Sequence, residues 1–222
     1  MLRRVSTPVI LLGLAASIGA LASCNPFTPI AAMAESYKRN STHTVPREYT
    51  GLDGKSFAVL VAADRFIESE HPGLVARLVS EVTARLEQNV NASGRVTADQ
   101  VLQYMYGNPG WQTKSMSTLA AELGGVERIV FVDLREYRLN DPGNQFLWEG
   151  VAQGEVSVAE VDTSVPDLFA FTKPINVTFP DKKGVSAQQL DRSVVTSELS
   201  RRFIDRASWP FYDHEEPYYP TY

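Results

Sequence analysis

The chain has 222 residues, with 21 Lys and Arg against 26 Asp and Glu, a formal charge of −5. Mild acidity spread along the chain offers no electrostatic footprint for nucleic acid or for an anionic lipid surface. One cysteine excludes an internal disulfide framework, so stability has to come from a packed core.

Met1-Leu2-Arg3-Arg4 precedes an apolar run from Val5 to Ala20, interrupted by Ser6, Thr7, Pro8 and Ser17, and then comes Leu21-Ala22-Ser23-Cys24. Two arginines, a short apolar stretch and small residues before a cut site are the build of a secretory signal. The arginines resist translocation and orient the segment. The run is slightly short for the roughly 20 residues that cross a bilayer core. Leu-Ala-Ser-Cys resembles the lipobox of bacterial lipoproteins, in which the cysteine thiol takes a diacylglyceryl group before cleavage. Residues 1–23 are therefore expected to be removed, leaving Cys24 as the lipid-bearing first residue. Two or more acyl chains, at about 0.8 kcal/mol per buried CH₂, anchor a protein durably. The lipidated Cys24 is expected to hold the protein to a bacterial membrane, facing the periplasm. Asn25, next to the cysteine, points to the outer membrane. The removed piece holds Arg3 and Arg4 and no acid, which leaves 19 basic residues against 26 acidic, a balance of −7.

Residues 24–50 contain Pro26, Pro29 and Pro46 with no apolar periodicity, and read as a tether reaching roughly 25–30 Å as a coil. A domain is expected over 51–206, with 207–222 as an aromatic tail. Phe57 to Ala63 is a continuous apolar run, the mark of a strand buried on both faces. A helix is predicted next, with Pro72 in its first turn and Val75, Val79, Val82 and Leu86 on one stripe. Arg77, Glu81, Arg85 and Glu87 make its wet side, with Glu81 and Arg85 spaced for an ion pair. A short strand near Val96 leads to Thr97-Ala-Asp-Gln100, which has capping-box form and opens a second helix through Val101 and Met105. Asn108-Pro109-Gly110 stops it, and a third helix runs from about Ser117 to Leu123, closed by Gly124-Gly125.

Strands follow. Ile129-Val130-Phe131-Val132 is a second buried run, and Asn140 to Asn144 is a turn. Phe146, Trp148, Gly150, Ala152, Gly154, Val156 and Val158 then share one face of a long alternating strand, whose small residues leave room for a helix. Ile175, Val177 and Phe179 alternate in a last strand that Pro174 sends to a sheet edge. Ser186-Ala-Gln-Gln189 has capping-box form and predicts a closing helix to about Arg206 through Leu190, Val194, Leu199 and Phe203. The order predicts a single α/β domain with a mixed, mostly antiparallel sheet covered by helices. Its parallel pair is 57–63 with 129–134, joined by a right-handed crossover, and a meander follows.

The segments "FAVLVAAD", "LVARLVSEVTARLEQ", "VTADQVLQYM", "LAAELGGVERIVFVDLREYRL" and "WEGVAQGEVSVAEVD" follow the lipobox in that order. Residues 56–162 resemble the envelope lipoproteins related to the curli-secretion lipoprotein and the lipoprotein activators of peptidoglycan synthases. Two departures are the insertion Asn108–Lys114 and the strand "FAFTKPINVTFP" in place of the usual closing segment. The resemblance implies an accessory that binds other envelope proteins without chemistry of its own.

Behind a strand, Asp64 is followed by two further carboxylates, Glu68 and Glu70, and by His71, a set suited to acid–base or metal chemistry. No second His or Cys cluster completes a metal site, and a solvated loop with Asp64 and Arg65 paired accounts for the same residues. Asp213-His214-Glu215-Glu216 is metal-friendly in type but lies in the tail. No phosphate loop, dinucleotide fingerprint or nucleophile elbow is present. The expectation is a non-enzymatic adaptor of an envelope assembly or secretion machine, folding without metal or cofactor, with an envelope protein as partner and no nucleic acid. An enzyme using 64–71 and a carrier of a small apolar or lipid ligand stay open as other readings. Parallel strands gather ligand sites at their carboxyl ends, so Asp64, Arg65, Phe66, Ile67, Asn140 and Asp141 are the expected partner-binding residues.

Overall fold

The computed structural model describes residues 41–217. The expected signal, Cys24 and the tether as far as residue 40 lie outside the described residues. The chain divides into two compact units. Of the smaller, the described part is 41–43 and 215–217, where Thr42 Oγ1 donates to the Glu215 carboxylate. The larger runs from Thr44 to His214. Strands β1 (Thr42–Val45) and β7 (His214–Pro217) form a two-stranded sheet.

In the larger unit the elements run β2 (Ser56–Ala63), α1 (Arg65–Glu70), α2 (Leu74–Asn89), β3 (Gly94–Arg95), α3 (Ala98–Gly107), α4 (Met116–Glu122), β4 (Arg128–Arg138), β5 (Gly150–Glu160), β6 (Phe169–Phe179) and α5 (Arg192–Ser208). The five-stranded sheet has order β3-β2-β4-β5-β6. As expected, β2 and β4 are parallel, from Phe57 opposite Arg128 to Ala63 opposite Leu134, and the meander β4-β5-β6 is antiparallel. Helices α2 and α5 pack on the sheet and on each other, and α3 and α4 rest on β2 and β4. The buried strand runs follow from that double cover: Phe57 to Val61 and Ile129, Val130 and Val132 are all at most 1% exposed. Pro174 lies in the edge strand β6, where its missing N–H costs no ladder bond.

The mid-strand glycines serve two purposes. A Cβ on Gly150 would meet Phe179 O at 2.6 Å and Leu199 Cδ2 at 3.3 Å, so this position lets α5 approach. A Cβ on Gly154 would stand 2.2 Å from Asp133 O, beside the bulge between Leu134 and Glu136.

Several predicted details change. The helix after β2 is two helices, α1 and α2, parted by His71-Pro72-Gly73, with Gly73 at φ +83° turning the chain. Glu81 pairs with Arg77 at 2.7 Å instead of with Arg85, whose guanidinium reaches the buried Asp205 carboxylate on α5. The closing helix starts at Arg192, capped by Asp191, five residues later than the Ser186 pattern predicts. Val194 consequently faces solvent, and Val195 takes the buried position.

The folded unit also begins ahead of residue 51. Glu48 and Tyr49 donate their N–H groups to Pro210 O at 2.8 and 2.9 Å, and the Tyr49 ring lies against Phe171 and Phe211. The Tyr49 hydroxyl donates to Glu160 at 2.7 Å. Arg128, 6% exposed, donates to Gly51 O at 2.9 Å, to Glu127 O at 2.8 Å and to the Asp162 carboxylate. Lys55 bridges Glu127 and Asp162 at 2.9 and 2.7 Å. Phe211, assigned by sequence to the tail, is fully buried in the core.

Candidate functional site

The carboxyl end of β2 runs straight into α1, because the Asp64 carboxylate accepts the Ile67 N–H at 2.8 Å and caps the helix. That single turn sorts its two apolar residues. Ile67 is 3% exposed and belongs to the core, whereas Phe66 is 69% exposed. The helix ends at His71, whose ring stands edge-on to Tyr137 with centroids 4.6 Å apart. Tyr137 is fixed in turn by bonds to Thr196 O at 3.1 Å and Ser200 Oγ at 2.9 Å on α5.

The opposite wall is the end of β4 and the turn after it. Arg138 reaches Glu136 at 2.7 Å, Asn140 O and Glu149 O at 3.1 Å each, and the Asp141 carboxylate. Asn140 donates from Nδ2 to Leu147 O at 2.7 Å, and Trp148 from Nε1 to Leu190 O at 2.8 Å. A groove of about 490 Å³ lies between the walls, lined among others by Phe66, Glu70, His71, Asn140, Trp148 and Arg192. Glu70, His71 and Arg192 also line an adjoining hollow of about 340 Å³.

Burial, and then the positive charge of Arg192, hold the His71 imidazole below its ordinary value, with Glu70 opposing. Asp141, hydrogen-bonded to Glu149 and to Arg138, is held below the usual carboxylate range, and Asp141 pushes Glu149 up. The groove thus offers an exposed aromatic ring, a histidine whose protonation burial opposes, and a cation and a carboxylate with no ion-pair partner among the described residues (Arg192 and Glu70).

The structure splits the expected partner-binding set. It brings Phe66 and Asn140 into one groove, with Asp141 tied to its wall through Arg138. Ile67 drops out as a core residue. Asp64 and Arg65 line a separate cavity of about 460 Å³, next to Tyr106, Trp111 and Met105. Asp64 does not pair with Arg65: its carboxylate is spent on the helix cap. Phe146, expected on the packed face of β5, is 81% exposed in the turn before it. Sequence reasoning missed Arg192 and Tyr137. The length of β4, running on through Arg138, is the signal that could have placed Tyr137 at the groove.

In the C-terminal acidic run, Asp213 accepts the Arg47 N–H at 2.9 Å, and the His214 ring stacks on Trp209 at 4.5 Å. Those contacts make packing partners of two residues read as metal-friendly. Among the described residues no group of three His, Cys, Asp or Glu is placed to hold a metal.

Fold and groove together define an α/β domain with a five-stranded mixed sheet and an open concavity at the carboxyl end of its parallel strands. No known protein family and no curated protein matches the sequence. Among solved structures, the chain is similar to the subunit of the PelC dodecamer of Paraburkholderia phytofirmans, at 12% identity and TM-score 0.43, over 78% of this chain and 97% of that one. It is also similar to lipoprotein GNA1162 of Neisseria meningitidis, at 9% identity and TM-score 0.43, over 66% and 94%. A Xanthomonas campestris protein of the DUF330 family aligns at 10% identity and TM-score 0.35, over 74% and 83%.

Proposed function

We propose that the protein is a lipid-anchored envelope lipoprotein that acts as a non-catalytic adaptor, gripping an envelope protein at the groove beside α1. The anchor rests on the Leu-Ala-Ser-Cys24 ending of an export signal. The observation that carries the adaptor reading is Phe66: a large ring 69% exposed, on a helix turn whose cap and buried Ile67 hold it rigidly at the mouth of a groove. Aromatic side chains presented on rigid elements are the usual anchors of protein interfaces. The rim polar groups, Asn140 and Arg138, are oriented by bonds inside the domain, so little ordering entropy opposes docking.

Of the residues an enzyme reading would draw on, Asp64 is a helix cap and Glu68 lies with the cavity on the other flank, leaving only Glu70 and His71 of that set at the groove. The partner class is an envelope assembly or secretion component, in keeping with the resemblance to the curli-secretion lipoprotein and the activators of peptidoglycan synthases.

A photo-crosslinking residue placed at Phe66 in the full chain, in cells, tests the groove, with Tyr106, equally exposed, as the control. A discrete adduct from Phe66 and none from Tyr106 is expected. Equal or absent adducts at both sites overturn the groove as the docking surface. Mass spectrometry of the N-terminal peptide tests the anchor: an unmodified Cys24, or a chain still starting at Met1, removes it.

A further inference from the structure

The turn between β5 and β6 exposes three apolar side chains within five residues: Val165 at 54%, Leu168 at 65% and Phe169 at 41%. The Leu168 N–H donates to Val165 O at 3.1 Å, which folds the tip on itself. The tip is also fastened to the domain. Phe169 stacks on Phe131 with centroids 6.1 Å apart, Phe131 meets Trp111 at 6.2 Å, and Asp167 accepts the Ser117 N–H at 2.9 Å. Single exposed apolar residues are ordinary on a surface, whereas a fastened cluster of them calls for a partner.

The two acids of this region are exposed to solvent and hydrogen-bonded within the domain. Asp162 is held by Lys55 and Arg128, and Asp167 by the start of α4; both sit below the usual carboxylate range for that reason. The tip therefore turns outward the hydrocarbon of Val165, Leu168 and Phe169, while the Asp167 carboxylate beside them stays bound to the start of α4.

The chain comes into the larger unit at this same end. Tyr49 bonds to Glu160 at the base of the hairpin, and the Glu48 carboxylate pairs with Lys173 on β6. Twenty residues separate Cys24 from Thr44, which bounds how far this end can stand from the lipid on Cys24.

We propose that the tip Val165–Phe169 rests in the interface of the bilayer that holds the Cys24 lipid. This rests on the lipoprotein reading above. A weak apolar contact suffices here, because the anchor turns it into an intramolecular event at high effective concentration. Lys55 is spent on Glu127 and Asp162, so the contact depends on apolar area and draws nothing from anionic lipid. The arrangement carries the Phe66 groove toward the far end of the eleven-residue strand β4, about 20 Å along the strand from where Phe169 stacks on Phe131, where a partner can reach it.

The test uses the full-length lipidated protein in phosphatidylcholine vesicles. With Cys24 acylated, Val165→Cys adds a unique thiol for an environment-sensitive fluorophore, and Lys183→Cys, exposed near the other end of β6, is the control. Blue-shifted emission quenched by nitroxide-labelled lipid is expected from the Val165 probe and not from the Lys183 probe. Adding Leu168→Ser should return the Val165 probe toward water-like emission. Water-like, unquenched emission at Val165 while the protein floats with the vesicles overturns the proposal and leaves the anchor standing. Failure of the wild-type protein to float overturns the lipoprotein reading, and the proposal with it. A probe shielded in native envelopes but not in pure lipid assigns the tip to a protein partner, which also overturns it.

Discussion

At the amino ends of the parallel strands, Arg128, Lys55, Glu127, Asp162, Glu160 and Tyr49 satisfy one another within a few ångströms. At the carboxyl ends, Arg192, Glu70 and Phe66 stand around a groove with no such partners among the described residues. Both ends draw on the same kinds of side chain, so composition does not separate them. The difference lies in where the bonds go. Arg128 turns its donors inward to Gly51 O, Glu127 O and Asp162, and ties the segment before β2 to the start of β4. Arg192, at the first position of α5, keeps its charge at the lip of an open concavity. One end holds the domain together, and the other leaves chemistry available for recognition.

The comparison breaks most readily at Arg128. Arg128→Ala leaves the Gly51 and Glu127 carbonyls and the Asp162 carboxylate short of their donor, and should cost about 3 kcal/mol in urea unfolding. A loss below about 1 kcal/mol would mean that this network is ornament and not a clamp. Ile67→Ala is next. It truncates a side chain 3% exposed and should cost about 2–3 kcal/mol, within the range for buried large-to-small changes. A neutral Ile67→Ala would move Ile67 out of the core and back among the surface residues of α1.

How much of this could be read from sequence depends on whether local pattern or distant packing decides. The strands at 57–63 and 129–134 were legible because burial on both faces leaves an unbroken apolar run. Thr97 was legible because its box closes on itself, with Gln100 returning a bond to the Thr97 N–H at 3.2 Å. Ser186 makes only half of such a box: Gln189 accepts its N–H at 2.9 Å, but the Gln189 N–H goes to Ser186 O, and no helix continues. Tertiary bonds decide there: Trp148 donates its N–H to Val185 O and its Nε1 to Leu190 O, both at 2.8 Å, and these hold 185–190 against the start of β5. Starting the helix at 186 put Arg192 in mid-helix and hid its place at the groove. Phe66 and Ile67 are adjacent and equally apolar, so only packing against the sheet could tell surface from core. The clustering of the loop after β2 with the turn after β4 was legible, since it follows from two parallel neighbours.

Helix α5 offers a smaller and cleaner contrast. Asp191→Ala removes the oxygen that accepts the Ser193 N–H at 2.7 Å and should cost about 1 kcal/mol. Ser186→Ala, which removes a hydroxyl that caps no helix and donates only to the Gln189 side chain, should cost a few tenths at most. Equal losses would place the helix start where the sequence alone puts it. The groove should show itself in pH dependence too. His71 is held below the ordinary histidine value of 6.5, so below that pH the unfolded chain binds the proton more readily than the folded one. Stability should therefore fall as pH drops from about 7 through His71's lowered folded value. His71→Gln should flatten that part of the curve in chemical denaturation at a series of pH values. An unchanged slope would mean that His71 is as well solvated folded as unfolded.

Phe66→Ser should have little effect on stability and the largest on binding. Its ring is 69% exposed, so the variant should unfold within about 0.5 kcal/mol of wild type. An aromatic anchor seated in a partner's pocket contributes about 2 kcal/mol or more, which is a weakening of about thirty-fold in Kd for the protein recovered by crosslinking. Measuring Phe66 apart from Ile67 matters, because replacing both would mix lost core packing with lost contact and give the same loss of capture for either reason. Phe66→Ser with wild-type stability and wild-type Kd would remove the groove from the interface, whatever the crosslinks show. Phe66→Ser with a loss of several kcal/mol in unfolding would instead make Phe66 a second core residue and erase the contrast between the two ends of the sheet.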